Sequence, residues 1–219
     1  MIELPDFNKA FEYENNFYLS CDNSRISRFI THYELYKMIQ SIHGEIIECG
    51  VFKGSSFSRF AMFLEIFGNP LSKKLIGFDA FGKFPETKFA GDKAGRKEVI
   101  DFDGNEGISK QQMIEVFKHK GINTCVELVE GDVTETIPAY VESHPDLKIS
   151  LLNLDTDTYE PAVTILEYLY PRIVDGGILI LDDYKVFPGE TKAVDEYFKE
   201  QKSKIKKFPF REKPYFIIK

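Results

Sequence analysis

The sequence is short of cysteine, has no basic excess and lacks any long apolar run. Each shortage removes a class of protein. The three cysteines, Cys21, Cys49 and Cys125, are widely scattered and form no CxxC pair. That excludes a zinc knuckle, a dithiol redox centre and a disulfide-stapled scaffold. Lys and Arg number 28 against 35 Asp and Glu, a net charge of −7. Duplex nucleic acid and anionic membranes both demand a basic face, so neither is expected as a partner. No segment approaches the ~20 apolar residues of a membrane-spanning helix. Residues 1–16 are acidic without an apolar centre, unlike a secretory signal. A cytoplasmic protein with free thiols is therefore expected. The histidines show neither HxxxH nor HxxEH spacing, which argues against zinc, and they read as surface residues. The full G-x-G-x-x-G fingerprint of dinucleotide-binding proteins is also missing.

What is present is an ordinary globular composition, expected to fold as one domain over residues 1–219. Five short apolar runs stand out: 45–50 (EIIECG), 74–80 (KLIGFDA), 125–131 (CVELVEG), 149–155 (ISLLNLD) and 177–183 (GILILDD). Each is nearly continuous rather than alternating, which predicts strands covered on both faces. Helical patterns separate them at 55–67, 109–120, 134–143 and 159–173. Ser55 suits an N-cap, Gly121 a C-terminal stop, and Pro161 a first helical turn. Strand–helix alternation predicts right-handed βαβ units, an α/β fold with a parallel sheet. Residues 24–43 form one amphipathic helix within an N-terminal helical extension, 1–44. After Asp183 the pattern predicts a helix at 190–202 and two strands, 205–210 and 214–218, joined by a turn at REKP. The lysine run 202–207 reads as a solvated edge. Residues 81–108 are long, charged and Gly-rich, and are predicted to be a substrate lid or a solvated insertion.

The chemistry gathers at the strand ends. The first strand runs into ECGVFKGSS, so Gly50 and Gly54 precede a helix. Glycines there let a ligand approach the backbone, and the helix N-terminus favours an anion. The second strand ends at Asp79, suited to ribose hydroxyls, and the third at Gly131-Asp132, suited to an adenine amine. Together these ends predict an adenosine-containing ligand. The fourth strand ends in LDTD, with Asp155 and Asp157, and the fifth in LDDY, with Asp182 and Asp183. Four carboxylates beside one crevice repel one another, and a hard divalent cation such as Mg²⁺ relieves the repulsion. Asp157, just past its strand, is placed to face the substrate and take a hydroxyl proton.

The stretches IIECGVFKGSS, GFDAFGKFPE, GDVTETIP, LDTDTYEPAVTILEYLYPRIVDGGILILDDY and GETKAVDEYF resemble the macrocin O-methyltransferase family. The resemblance implies a Rossmann-like class I methyltransferase fold: a seven-stranded, mostly parallel sheet whose last strand is antiparallel, with helices on both faces. It implies S-adenosylmethionine as cofactor, contacted by Glu48, Gly50, Gly54, Ser55, Asp79 and Asp132. It implies Mg²⁺ on Asp155, Asp182 and Asp183, with Asp157 as general base. One departure is visible: the family often has Ser-Phe after the second-strand aspartate, where this chain has Ala80-Phe81. The expected function is methyl transfer to a sugar hydroxyl on a small molecule, a nucleotide-sugar, glycan or glycosylated natural product. The rivals are a metal-dependent catechol-type O-methyltransferase, a nicotinamide dehydrogenase and a non-catalytic S-adenosylmethionine-binding protein. The N-terminal helix packs either on its own domain or across a homodimer.

Overall fold

The computed structural model describes residues 1–68, 72–122, 126–199 and 204–219. Cys125 and the predicted helical residues 200–202 lie outside these, as does the start of the lysine run. Among the described residues six strands form one sheet: β1 (Glu45–Cys49), β2 (Leu75–Asp79), β3 (Val126–Glu130), β4 (Ile149–Leu154), β5 (Ile173–Leu181) and β6 (Tyr215–Ile218). The order is β3-β2-β1-β4-β5-β6, parallel except for β6. The seventh strand is not formed. Its predicted residues, 205–210, contribute a single antiparallel bridge, Lys206 with Phe216. The chain does reverse at REKP, but only this one rung pairs.

The continuous apolar strands divide their residues between two cores by the period-two alternation of the pleat. Ile46, Leu151, Ile178 and Ile180 face one side. There they meet Leu35 and Ile39 of α2 (Asn23–Ile39), Phe57 and Phe60 of α3 (Ser55–Phe67) and Met113 of α5 (Lys110–Lys120). Ile47, Ile76, Leu152, Leu179 and Leu181 face the other. There they meet Ile137 of α6 (Val133–Ser143), Ile165 of α7 (Tyr159–Tyr168) and Val194 of α8 (Pro188–Phe198). An additional helix, α1 (Ala10–Ser20), precedes α2 and buries none of its residues. No helix among the described residues is long and apolar enough to cross a membrane.

Two local expectations are corrected, and the insertion shows structure of its own. The residue preceding α3 is Gly54 in the left-handed region (φ 80°), not a serine cap, and no side chain caps this helix. Helix α7 ends at Tyr168 and β5 begins at Ile173, four residues before the predicted start, because residues 173–176, Gly176 among them, are absorbed into the strand rather than preceding it. Segment 81–108 is not a structureless loop. It carries a 3₁₀ turn (Ala90–Asp92) and a helix, α4 (Lys93–Asp103), that buries nothing and so shows no continuous apolar face.

That insertion is tied down at both ends. At its base Gly107 N–H donates to Gly82 at 2.7 Å, and Ile108 N–H to Phe52 in the glycine turn at 2.7 Å. At its far side Asp92, fully buried, accepts from the N–H groups of Tyr159 (2.9 Å) and Gly189 (2.6 Å). One carboxylate thus caps the N-termini of α7 and α8 together. Glu160 adds bonds to Thr87 Oγ1 and Lys88 N–H, each at 3.1 Å. The insertion therefore crosses the sheet edge from the glycine turn to these two helices.

Candidate active site at the carboxyl edge of the sheet

Hydrogen bonds extend past the strand ends and set the edge residues in line. Gly50 N–H donates to Phe78, Gly131 N–H to Asp79, Asp155 N–H to Cys49, and Asp182 N–H to Leu154, all at 2.9–3.1 Å. The strand order reverses between β1 and β4, and Gly50 and Asp155 sit at that switch. The approach there is tight. A Cβ on Gly50 (φ 92°) would lie 1.7 Å from the Asp155 carbonyl oxygen. Only glycine fits, and a crevice opens where the connections diverge.

On the β1–β2–β3 side the predicted cofactor residues fall into three kinds. Gly54 and exposed Ser55 form the uncapped N-terminus of α3, open to an anion. Asp79 holds the turn itself. Its Oδ2 accepts from Val51 (2.7 Å) and Phe52 (3.0 Å), and its Oδ1 from Phe81 (2.6 Å). Burial still pushes its carboxyl above the usual range, against these bonds. Asp132 is exposed and caps α6 through Oδ1, accepting from Thr134 N–H at 2.9 Å.

Glu48 lies one layer below the edge rather than on it. It is fully buried, accepting from Ser56 Oγ at 2.9 Å and Asn153 Nδ2 at 3.2 Å. Burial raises its pKa to about 7, with Ser56 and Asn153 opposing the rise. Among the described residues Asn153 Oδ1 has no partner, so a flipped amide can accept a hydrogen bond from the O–H of neutral Glu48. The folded-state pKa exceeds the ordinary 4.5, so between these values the folded chain holds more protons than the unfolded chain. This stabilisation is full below pH 4.5 and is lost as pH rises through about 7. We expect the urea-unfolding free energy of the wild type to fall by about 3 kcal/mol, relative to Glu48→Gln, between acid and pH 8. Parallel curves for the two proteins would show that Glu48 is not neutral in the fold.

On the β4–β5 side Asp155, Asp182 and Asp183 each offer an oxygen within 4.8 Å of the others. Two cations from opposite ends of the chain enter this cluster. Arg28 of α2 places Nη2 2.6 Å from Asp182 Oδ2 and 3.5 Å from Asp155 Oδ2. Lys213 Nζ lies 2.9 Å from Asp183 Oδ1. Among the described residues Asp182 Oδ1 is buried with no partner. Asp157 sits beside them in the left-handed region (φ 61°) and shares a hydrogen bond with Asp183. Burial first, then the neighbouring carboxylates, hold Asp155 and Asp157 well above the usual range. Glu190, fully buried, accepts from Asp183 N–H at 3.1 Å and is raised by burial and the same neighbours. A set of hard oxygen donors with an orphaned carboxylate oxygen fits a divalent cation.

Sequence reasoning missed Arg28, Lys213, Glu190 and Asp92. Arg28 left a trace, because residues 28, 32, 35 and 39 fall at helical spacing on the buried face of α2. His32 was also misplaced at the surface. It is fully buried, stacked on Phe60, with Nδ1 3.0 Å from Arg59 Nη1. Burial and three nearby guanidiniums hold it neutral.

A mostly parallel sheet with an antiparallel last strand, a glycine turn at the switch and acids at successive strand ends defines the Rossmann-like methyltransferase fold. The chain belongs to the macrocin O-methyltransferase (TylF) family, whose model matches residues 24–208. A curated relative, the Streptomyces olivaceus 8-demethyl-8-(2,3-dimethoxy-alpha-L-rhamnosyl)-tetracenomycin-C 4'-O-methyltransferase, is 25% identical over 68% of this chain and 56% of its own. Demethyldecarbamoylnovobiocin O-methyltransferase of Streptomyces niveus is 25% identical over 72% of this chain and 59% of its own. The chain thus spans less than two thirds of these relatives. The crystal structure of CalS11, a calicheamicin methyltransferase, superposes with a TM-score of 0.72 at 26% identity, covering 94% of this chain and 84% of that one.

Proposed function

We propose that the chain is an S-adenosylmethionine-dependent O-methyltransferase acting on a hydroxyl of a sugar-containing small molecule. The observation that carries this reading is Asp157, turned out of its strand end beside the Asp155–Asp182–Asp183 cluster. Gly50, Gly54 and Ser55 receive the methionine end of the cofactor at the start of α3, with Glu48 and Ser56 supporting the turn from beneath. Asp79 meets the ribose and Asp132 the adenine. Asp155, Asp182 and Asp183 would hold Mg²⁺, which supplies Lewis acidity that lowers the pKa of an acceptor hydroxyl. Asp157 takes the hydroxyl proton as that oxygen attacks the sulfonium methyl, releasing S-adenosylhomocysteine. Positioning carries much of the acceleration, since the sulfonium is already electrophilic. The insertion, anchored across the edge, acts as the lid. Both named relatives are O-methyltransferases of natural products, one with a rhamnosyl group in its name, which favours a sugar over a catechol.

The test is thermal shift with S-adenosylhomocysteine and with NAD, each in Mg²⁺ and in EDTA. At ~100 times its dissociation constant S-adenosylhomocysteine is expected to stabilise by about 2.7 kcal/mol, with a further gain in Mg²⁺. A shift with NAD alone overturns the reading.

A homodimer completes the proposal. Helix α1 leaves Phe11, Phe17 and Leu19 exposed, at 80%, 42% and 87%. Such exposure favours an interface. Sedimentation is expected to give about twice the 25.3 kDa chain mass, and Phe11→Glu with Leu19→Glu to give the monomer. A monomeric wild type removes this part.

A further inference from the structure

The acidic cluster already receives a cation from the chain itself. Arg28 Nη2 lies 2.6 Å from Asp182 Oδ2 and 3.5 Å from Asp155 Oδ2. One nitrogen therefore reaches an oxygen on each of two acids, out of the three whose oxygens gather within 4.8 Å. Mg²⁺ draws carboxylate oxygens in to about 2.1 Å. An ion shared by Asp155 and Asp182 needs the space that this nitrogen takes up. A guanidinium and a divalent ion held that close, away from bulk water, also repel strongly.

The arginine does not use everything the cluster offers. Among the described residues Asp182 Oδ1 is buried with no partner. An ion that draws on this oxygen and on Asp183 satisfies acceptors that Arg28 leaves out. That difference favours exchange of one cation for the other.

The side chain is free to leave and its helix does not depend on it. The Arg28 side chain is 25% exposed against 3% for Asp182, so the guanidinium has a way to water while the acid stays. Helix α2 is held by buried Leu35, Tyr36 and Ile39. Arg211 ties its first turns, donating through Nη1 to the Ser24 carbonyl and to Ser27 Oγ at 2.7 Å. Lys213 differs from Arg28. Among the described residues its ion pair is with Asp183 alone, outside the Asp155–Asp182 pair.

We infer that Arg28 is the resident counter-cation of the Asp155–Asp182 pair and exchanges with the divalent ion. The inference rests on the metal part of the reading above. Metal entry is then also release of an α2 side chain from the working edge. The coupling is reciprocal: a firmer grip by Arg28 weakens the metal by the same factor. Arg28 thus sets the metal concentration at which the site fills.

The test is calorimetric titration of Mg²⁺ into the metal-stripped chain saturated with S-adenosylhomocysteine. Arg28→Gln is expected to bind Mg²⁺ at least ~10-fold more tightly than the wild type. Lys213→Gln removes the same charge from the cluster and is expected to change the affinity by no more than about threefold. Arg28→Lys, which keeps the charge but loses the planar fork, is expected to tighten binding less than Arg28→Gln, and serves if the latter does not fold. Melts add a second readout. In EDTA Arg28→Gln is expected to melt below the wild type, because Asp182 loses its partner, and saturating Mg²⁺ is expected to narrow the gap.

Unchanged or weaker Mg²⁺ binding in Arg28→Gln overturns the inference and makes Arg28 a support that steadies Asp182 behind the ion. Equal tightening in Lys213→Gln also overturns it, since loss of charge alone would then suffice. Both results leave the metal reading standing. If neither the wild type nor Arg28→Gln takes Mg²⁺ while S-adenosylhomocysteine binds, the metal reading falls and this inference with it, and methyl transfer stands.

Discussion

Asp157→Asn is expected to lower turnover by at least ~10²-fold while leaving affinity for S-adenosylhomocysteine unchanged. The substitution isolates the proton from everything else. Asp157 occupies the left-handed region at φ 61°, a conformation that asparagine also tolerates without a large penalty. The backbone turn that aims the side chain should therefore survive. The amide is nearly the same shape, but it has no basic oxygen to take a hydroxyl proton. It also removes a carboxylate held next to Asp183 and Asp182, so the thermal midpoint should hold or rise. Steady-state kinetics with a methyl-accepting sugar, beside a melt with S-adenosylhomocysteine, separates the two effects. Near-wild-type turnover would remove Asp157 from the role of base.

Asp92→Ala is expected to cost about 3 kcal/mol of stability and to loosen the insertion. The carboxylate is buried and serves two backbone donors, Tyr159 N–H and Gly189 N–H, at the starts of α7 and α8. Alanine leaves both without an acceptor, and each lost cap or orphaned donor costs about 1–2 kcal/mol. For a chain of this size about 3 kcal/mol lowers the thermal midpoint by roughly 6–12 °C. Limited proteolysis should cut first within 81–108, because the glycine-turn anchor at Ile108 remains while the far anchor is gone. Asp92→Asn keeps one acceptor oxygen and should lose about half as much. A melt unchanged in Asp92→Ala would show that the insertion is held by its other contacts alone.

The elements that sequence reasoning placed well are those with local causes. Helix α5 begins at Ser109, whose Oγ accepts from Gln112 N–H while Gln112 returns the bond to Ser109 N–H. It ends at Gly121 in the left-handed region. Both signals lie within four residues of the boundary they set. The central parallel strands were visible because both faces of the sheet are covered there and most of their residues are apolar, while β3 at the edge is only half-buried. The acids at the strand ends were legible for a similar reason: parallel strands deliver their carboxyl ends to one edge, so position in the chain gives position in space.

What escaped depends on partners far away in the chain. The strand predicted at 205–210 needed a partner along its length, but only Lys206 pairs with Phe216. His32 sits on a helix face whose burial is decided by the sheet beneath and by Arg59. Asp92 lies in a charged stretch with no apolar periodicity, and its role appears only when α7 and α8 are in place. The same holds for Glu48, whose strand position was read correctly while its depth depends on Ser56 and Asn153.

The pairing of Arg28 with Asp182 spans 154 residues of sequence, while Lys213 reaches Asp183 from 30 residues downstream. The cations that enter the acidic cluster thus come from segments far from it in sequence. During synthesis the five parallel strands leave the ribosome before Lys213 does. A chain halted after Asp183 already holds Asp155, Asp182 and Asp183, yet lacks one of their two counter-charges. Contacts of such high sequence separation are slow to form, because chain closure must precede any gain from them. The parallel strands can therefore pair early, while Asp183 gains its cation only when Lys213 and the antiparallel β6 dock.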